Sequence, residues 1–388
     1  MAGLHEGTGV DYVALDAFKR RGQAAAAHTE DIPELVRLRA VPFKPSRGES
    51  AFLIDCGDHY AAQVQEGLGT KMLVADAMIR IADSLACFLR GVWGGHLGIQ
   101  SYKMRWCRNI SRDAVAMIVN DMITVGALPT SIAMHLAVGD ASWLADEMRA
   151  YGLLDGWRLA CRESGCAYGP GETSELKGII NPDTAELSGS AIGVIRSGCR
   201  PLLPETIRPG DGIIFCESSG IHANGLTKAR EIAAALPGGY LTEVPGSGGR
   251  CYGDVLLDPT HIYVPFVREI LSYNGIRYGI NVTGHGWRKL MRAPQSFTYV
   301  IDTLPTERPI FPFIQEHGGL SLEQMYGAYN MGAGFALIVS GVETFMELAK
   351  RKQWPYRIFK AGHVEAGPRQ VVIKPLGITL PGDSLNIR

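Results

Sequence analysis

Apolar positions along the chain follow two alternating patterns. Short apolar runs that end at glycine, serine or polar turns predict strands at 51–65 (AFLIDCGDHYAAQVQ), 211–216 (DGIIFC) and 334–340 (GFALIVS). Apolar residues repeated every three or four positions predict helices over 78–91 (MIRIADSLACFLRG) and 260–275 (THIYVPFVREILSYNG). Strands and helices alternate in both halves, which is typical of α/β or α+β domains.

The chain has 388 residues, which is long for a single hydrophobic core and favours two domains. Residues 196–211 (RSGCRPLLPETIRPGD) contain three prolines and little periodicity, as expected of a linker. We therefore predict an N-terminal domain over 1–207 and a C-terminal domain over 208–388.

Composition narrows the class of protein. Hydrophobic residues make up 46% and charged residues 20% of a chain with a formal net charge of −1, and no dense Lys/Arg stripe favours a nucleic-acid partner. The start of the chain lacks a signal-peptide core, and the longest uncharged apolar stretch, 331–342, is shorter than the ~20 residues of a membrane helix. Eight cysteines include no Cys-x-x-Cys pair. We expect a cytoplasmic protein with reduced thiols and no membrane contact.

Two polar residues interrupt a nearly continuous apolar run at 113–129 (DAVAMIVNDMITVGALP). Asn120 and Asp121 lie in the middle of this predicted helix. A buried carboxylate costs several kcal/mol unless it is paired or binds a metal ion. Asp121 therefore needs a partner, unless both residues lie on a narrow stripe that faces solvent.

Carboxylates also occur in glycine-rich segments that we interpret as loops. The first is 66–71 (EGLGTK) and the second is 169–176 (GPGETSEL). Oxygen ligands from separate loops suit Mg²⁺, which usually accompanies nucleotide phosphates and retains several waters. Together with Asp121, these segments could share one ion, although acidic residues in glycine turns are also commonly solvated.

A lone histidine lies where a strand gives way to a helix, in 215–232 (FCESSGIHANGLTKAREI). Gly220 and Gly225 permit unusual backbone angles, and a helix starting near Asn224 would direct free N–H groups at the loop. The segment predicts an anion site beside His222. The alternative is a tight turn with Asn224 as the helix N-cap and His222 bonded to the backbone. The chain has no Gly-x-Gly-x-x-Gly or Walker motif.

Taken in order, these segments resemble the aminoimidazole ribonucleotide (AIR) synthetase family, the ATP-dependent cyclo-ligases of purine biosynthesis. The resemblance begins at Gly9-Val10-Asp11 and continues to about residue 365. The seven motifs that carry it are EGLGTK (66–71), VNDMITVGALP (119–129), PGETSEL (170–176), SSGIHANG (218–225), LLDPTHIYV (256–264), NVTGHG (281–286) and QMYGAYNMG (324–332).

The resemblance implies a two-domain α/β (α+β) fold whose N-terminal domains pair into a β-barrel in a homodimer, with ATP near that interface. It implies that ATP and Mg²⁺ are used to convert a small-molecule substrate, formylglycinamidine ribonucleotide, to aminoimidazole ribonucleotide, ADP and phosphate. ATP would phosphorylate the formyl oxygen, and the amidine nitrogen of the same molecule would close the ring.

The resemblance also assigns residues, motif by motif. The implied Mg²⁺ ligands are Glu66, Asp121 and Glu172. Around the nucleotide it places Asp11, Gly67, Gly69, Thr70, Lys71 and Asn120, with a phosphate-binding loop formed by Ser218, Ser219, Gly220, Asn224 and Gly225. The implied catalytic residues are His222, Lys71 and Asn120.

The sequence departs from the family at several motif positions. Glu66 replaces an aspartate, His261 replaces an arginine, and Asn281 and His285 replace a histidine and a glycine, while 90–107 and the tail after Gly367 match poorly. These changes favour a divergent subgroup. The alternatives are a catalytically silent nucleotide-binding paralogue, or another enzyme of the superfamily such as a thiamine-monophosphate kinase, whose Asp-Asp and Gly-Gly-Asp motifs are missing here.

Overall fold

The computed structural model describes residues 12–88 and 96–385. The N-terminal half contains helices α1 to α5 and strands β1 to β6. The helices are Tyr12–Ala27, Pro33–Arg37, Lys71–Phe88, His96–Met122 and Glu147–Ser164. The strands are Val41–Pro42, Phe52–Asp55, Tyr60–Gly67, Leu128–Val138, Ala167–Glu175 and Ala185–Ile195.

The six N-terminal strands form one sheet in the order β1-β2-β3-β6-β4-β5, in which only the β4–β5 pair is parallel. Helices α4 and α5 cover one face of this sheet. Side chains alternate along each strand, so that Val64 is buried whereas its neighbours Gln63 and Gln65 are exposed. On the uncovered face Ile192 is 59% exposed in the middle of the sheet. This face is therefore available for contact with another surface.

The C-terminal half contains strands β7 to β13 and helices α6 to α11. The strands are Gly212–Glu217, Ile276–Asn281, Phe297–Ile301, Ala333–Val339, Ile358–Ala366, Gln370–Ile373 and Ile378–Pro381. The helices are Leu226–Ala235, Tyr252–Leu256, Val264–Ile270, Ile310–Gly318, Leu322–Ala328 and Val342–Ala349. The strands form a second sheet in the order β13-β12-β9-β11-β7-β10-β8, whose inner strands β7 and β10 are buried throughout.

The two sheets lie on either side of residues 196–211, and the mixed α/β architecture predicted from the sequence is confirmed. Strands are present within the predicted ranges 51–65 and 334–340, and α3 covers the described part of the helix predicted over 78–91. None of the helices within the described ranges combines the length and the hydropathy needed to cross a membrane.

Three local predictions are wrong. Residues 169–176 are not a loop, because Ala167–Glu175 pairs with β4 as an edge strand. The helix predicted over 260–275 is only Val264–Ile270, because side chains of α4 accept the backbone N–H groups of Thr260 and Tyr263. Asn224 is not an N-cap: that position belongs to Gly225, which adopts a left-handed conformation.

Candidate active site

A cavity of about 410 Å³ lies between the two halves of the molecule. Glu66 enters it from the end of β3 and Asp121 from the last turn of α4. The C-terminal half contributes the short 3₁₀ segment Gly286–Arg292. The complete lining is Lys19, Gln23, Ser46, Arg47, Gly48, Glu49, Ser50, Phe52, Glu66, Asp121, His285, Lys289, Arg292 and Leu385.

Two carboxyl groups meet in this cavity. Glu66 is in phase with the buried Val64, so it points to the helix-covered face of its sheet and forms a hydrogen bond with Asp121. Burial and the charge of Asp121 raise the pKa of Glu66 to about 7. Asn281 donates to Asp121 Oδ1 at 2.8 Å. Asp121 is only 7% exposed, so the alternative of a solvent-facing stripe is wrong.

Cationic side chains face the carboxylates. Lys289 is half-buried, and burial, followed by the charge of Arg292, lowers its pKa to about 8, while Asp121 and Glu66 act in the opposite direction. Arg292 donates to Ser50 Oγ and to the Gly48 carbonyl. The cavity lining therefore combines carboxylates with a basic side formed by Lys289, Arg292, Arg47 and Lys19, and a metal–polyphosphate ligand needs both kinds of group.

His285, one of the departures from the family pattern, attaches helix α1 to the cavity. Its Nε2 lies 3.5 Å from Asp16 Oδ2, and both side chains are largely buried. Burial lowers the pKa of His285 to about 4, so its imidazole is neutral near pH 7. The larger side chain at this position thus contributes a contact to α1, which also places Lys19 and Gln23 in the cavity lining.

Lys71 lies outside the cavity lining, with its ammonium group surrounded by protein oxygens. It forms a 2.6 Å ion pair with Asp113 and donates to the carbonyls of His222 and Asp258, each at 2.9 Å. Both members of the ion pair are fully buried. Three oxygen partners match the three donors of an ammonium group, so Lys71 joins the two domains.

Asn120, which lies on α4 as Asp113 does, also bonds to the backbone of the C-terminal half. Its Nδ2 donates to the His261 carbonyl at 2.8 Å, and its Oδ1 accepts the Tyr263 N–H at 2.9 Å. The amide thus holds the irregular backbone before α8. The prediction that Lys71 and Asn120 are close to phosphates remains a prediction.

The loop that follows β7 is held by hydrogen bonds from its own polar groups. Ser218 Oγ contacts Asn330 Oδ1 at 2.9 Å, Asn330 Nδ2 donates to the Gly220 carbonyl at 2.9 Å, and Ser219 Oγ donates to the Pro259 carbonyl at 2.6 Å. A Cβ on Gly225, whose φ is +77°, would lie 2.2 Å from Tyr329 Cε1. Glycine is therefore required there by both conformation and packing.

His222 lies within this loop at φ +59°, a conformation that is uncommon for any residue except glycine. The Ser219 N–H donates to its Nε2 at 3.3 Å. Burial, and next the nearby His261, keep the pKa of His222 well below its usual value. The imidazole is therefore neutral, and its ring proton is on Nδ1. Asn224 lies beside it, with Nδ2 4.0 Å from the Met117 sulfur.

Glu172 is separated from the other two predicted metal ligands. Across the sheet, Glu172 pairs with His135, His135 with Ser188, and Ser188 with Gly67. Glu66 directly precedes Gly67 in β3, so its side chain points to the face of the sheet opposite that of Glu172. In addition, β5 lies three strand spacings from β3, a separation of roughly 14 Å. The proposal that these loops share one ion within a single chain is therefore not supported by the geometry of Glu172.

Gly67 is the last residue of β3, and Gly69 and Thr70 form the turn that follows it. The Gly69 N–H donates to the Glu186 carboxylate, and a Cβ on Gly67 would lie 2.9 Å from Glu186 Oε1. Thr70 directly precedes α3. Asp11 lies outside the described residues.

Sequence reasoning missed most of the cavity lining. Lys289 and Arg292 follow the NVTGHG motif directly, and the three basic residues of 286–292 (GWRKLMR) are the signal that could have identified them. The contributions of α1 and of 46–50 could not be identified, because neither segment carries a recognisable motif.

Comparisons with known proteins define first the class and then the family. The fold is shared with a chain in the crystal structure of the HypE–HypF complex, with a TM-score of 0.58 and 16% identity over 94% of this chain and 98% of that chain. It is also shared with AaThiL complexed with AMPPCP and TMP, with a TM-score of 0.53 and 14% identity over 84% of this chain and 87% of that chain. Models of the AIR synthase related protein N-terminal and C-terminal domains match residues 98–195 and 208–374. The chain therefore belongs to the AIR synthase related family.

Two relatives are similar over most of their length. Phosphoribosylformylglycinamidine cyclo-ligase of Thermococcus kodakarensis is 34% identical over 324 residues, which cover 83% of this chain and 84% of the relative. The cyclo-ligase of Methanococcus vannielii is 30% identical over 321 residues, 82% of each chain. The family resemblance seen in the seven motifs is confirmed.

Proposed function

We propose that this protein is an ATP-dependent cyclo-ligase that converts formylglycinamidine ribonucleotide and ATP to aminoimidazole ribonucleotide, ADP and phosphate. The cavity that is lined by Glu66, Asp121 and Lys289 carries the proposal. The relatives at 30% and 34% identity are named for this reaction, and AaThiL, which shares the fold, was solved with the nucleotide analogue AMPPCP.

The residues of the cavity fit a magnesium ion. Glu66 and Asp121 offer hard oxygen ligands, and the proton that they share in the free protein is the one that a divalent cation would displace. Waters and phosphate oxygens would complete the shell. Bound there, Mg²⁺ would neutralise phosphate charge during phosphoryl transfer. Glu172 remains a proposed ligand only in an assembly that brings it from another chain.

The reaction balances without a further reagent. The formyl oxygen of the substrate takes the terminal phosphoryl group of ATP, ADP leaves, and the amidine nitrogen then attacks the activated carbon as phosphate departs. The protein contributes position and charge. We propose that His222 acts at this centre through its Nδ1–H, donating a hydrogen bond to the formyl oxygen, or by moving the amidine proton.

The uncovered face of the N-terminal sheet supports a second part of the proposal, a cytoplasmic homodimer in which two such faces form a barrel. Edge strand β5 is exposed along almost its whole length, and exposed edges favour pairing with another chain. Light scattering at micromolar concentration should give twice the chain mass of 42.0 kDa. A stable monomer would exclude this arrangement.

The activity is tested with purified protein, ATP, Mg²⁺ and formylglycinamidine ribonucleotide. Consumption of ATP should depend on the ribonucleotide and yield aminoimidazole ribonucleotide. Equal consumption with thiamine monophosphate would identify a kinase of the same fold instead. ATP binding without turnover of any ribonucleotide would favour a silent paralogue, for which the changes at Glu66, His261 and His285 are the motivation.

A further inference from the structure

The basic side of the cavity contains one cation that differs from the others. Arg292 already donates to Ser50 Oγ and the Gly48 carbonyl, and Arg47 pairs with Glu30 and stacks over the Phe52 ring at 4.7 Å. Lys19 is exposed on α1. Arg292 and Arg47 therefore already have protein partners, and Lys19 is exposed to solvent.

Lys289 differs from these three. It is half-buried, lines the cavity, and forms no salt bridge or side-chain hydrogen bond with any other residue in 12–88 or 96–385. Glu66 and Asp121 are close enough to act on it electrostatically, yet neither forms a direct ion pair with it. Its ammonium group lines the cavity with three donors, and these donors are available to an anionic ligand that enters there.

We infer that Lys289 is a further catalytic residue, whose ammonium group binds the phosphates of the nucleotide directly, in the cavity that also contains the Glu66–Asp121 pair. This inference rests on the proposed function for the identity of the ligand. Lys289 lies on the short segment Gly286–Arg292, in which the side chains of Trp287 and Leu290 are buried. Their burial holds the backbone of Lys289 in place. The ammonium therefore reaches an incoming anion without reorganisation of the fold.

The competing explanation is that Lys289 only balances the two carboxylates of the free protein. The two roles differ in their dependence on metal. A phosphate ligand contributes to ATP binding whether or not Mg²⁺ is present, whereas a counter-ion competes with Mg²⁺, so that its removal strengthens metal binding.

The test measures ATP affinity by calorimetry with excess Mg²⁺ and again in EDTA. Lys289→Met should weaken ATP binding roughly 10- to 100-fold in both conditions, as expected for loss of a charge-assisted hydrogen bond. Lys289→Arg should recover part of that loss. Lys352→Met is the matched control, since it removes one positive charge from an exposed pair with Glu269, and should leave the affinity unchanged.

Two results would overturn the inference: unchanged ATP affinity in EDTA for Lys289→Met, with or without tighter Mg²⁺ binding, or wild-type protein that binds no ATP. Unfolding of the variant is monitored by its melting temperature, and Lys289→Gln, which keeps a polar group, serves if Lys289→Met does not fold. If wild-type protein binds ATP through Lys289 but does not cyclise the ribonucleotide, the proposed function fails while this inference stands.

Discussion

Two neighbouring regions contain buried charges, and they treat them differently. In the cavity, Glu66 and Asp121 share a hydrogen bond and Lys289 has no direct partner among the described residues. In the interdomain junction, which we define as Lys71, Asp113, Asn120 and His222 with the backbone of 258–263, polar groups contact complementary protein atoms within about one hydrogen-bond length.

The difference separates two roles that look alike in a sequence. A buried polar group whose partners are all supplied by the protein stabilises the fold, whereas one that lacks them stores a cost that a ligand can remove. Four of the motif residues thus divide into two pairs: Glu66 and Asp121 line the cavity that we propose as the ligand site, while Lys71 and Asn120 bond to backbone atoms of the C-terminal half.

The largest effect is expected for Asp121→Asn. The change keeps the shape and the contact with Asn281 but removes the charge that a magnesium ion requires. Loss of a direct ligand should lower Mg²⁺–ATP affinity by at least about 100-fold, since even indirect partners of metal ligands contribute 10- to 100-fold. Calorimetric Mg²⁺ titration measures it, with the surface change Asp183→Asn as control. Unchanged affinity would assign Asp121 to structure.

His222→Asn tests the one junction residue that we place at the reacting centre. Asparagine tolerates the positive φ of this position better than most residues other than glycine, so the loop should keep its conformation. Loss of acid–base assistance should lower the maximal rate by about 100-fold or more, with the melting temperature and substrate affinity near those of the wild type. Earlier melting with normal turnover would reduce His222 to a structural role.

Lys71→Met should act on stability. Removing one partner of a buried ion pair typically costs about 3 to 5 kcal/mol, because Asp113 is left buried and charged. Denaturant unfolding measures this loss, and adding Asp113→Leu should restore part of it. A stable variant that no longer binds ATP would instead return Lys71 to the phosphate site predicted from its motif.

The carboxyl pair predicts a pH dependence of the free protein. Folding raises the pKa of Glu66 from 4.5 to about 7, so between these values the folded state holds a proton that the unfolded chain has released. The free energy of unfolding should therefore fall as pH rises from about 5 to about 7. Glu66→Gln should flatten this slope, and an equal slope in both proteins would show that Glu66 is ionised throughout.

The smallest effect is expected for Glu172→Gln. Glu172 is exposed, lies on the opposite face of the sheet from Glu66, and contacts only the Ser174 hydroxyl among the described residues. Within one chain its loss should change Mg²⁺–ATP affinity by less than about threefold, consistent with the small effect of most surface substitutions. A loss comparable to that of Asp121→Asn would mean that a second subunit supplies Glu172 to the site.

The sequence was sufficient for the fold class and for two of the residues that line the cavity. The burial of Asp121 follows from the apolar run around it, and its link to Glu66 follows from the order of the motifs. The sequence was insufficient for Glu172, because a glycine-rich segment was interpreted as a loop although it pairs as an edge strand. Local propensity does not report such pairing.

The basic side of the cavity was harder to predict for a different reason. Lys19, Ser50 and the segment with Lys289 and Arg292 are far apart in the chain, and only packing brings them together. A lysine or serine on a surface segment has no distinctive pattern. The same holds for His285, whose contact with Asp16 depends on where α1 lies.

The partners of Lys71 also bear on the order of events during synthesis. One of the carbonyls that accepts its hydrogen bonds belongs to Asp258, 187 residues further along the chain. At a translation rate of roughly 5 to 20 residues per second, Asp258 is added to the chain about 10 to 40 seconds after Lys71. During that interval the ammonium of Lys71 would have only part of its coordination, so the first half of the chain would complete its packing only once the second half has been made.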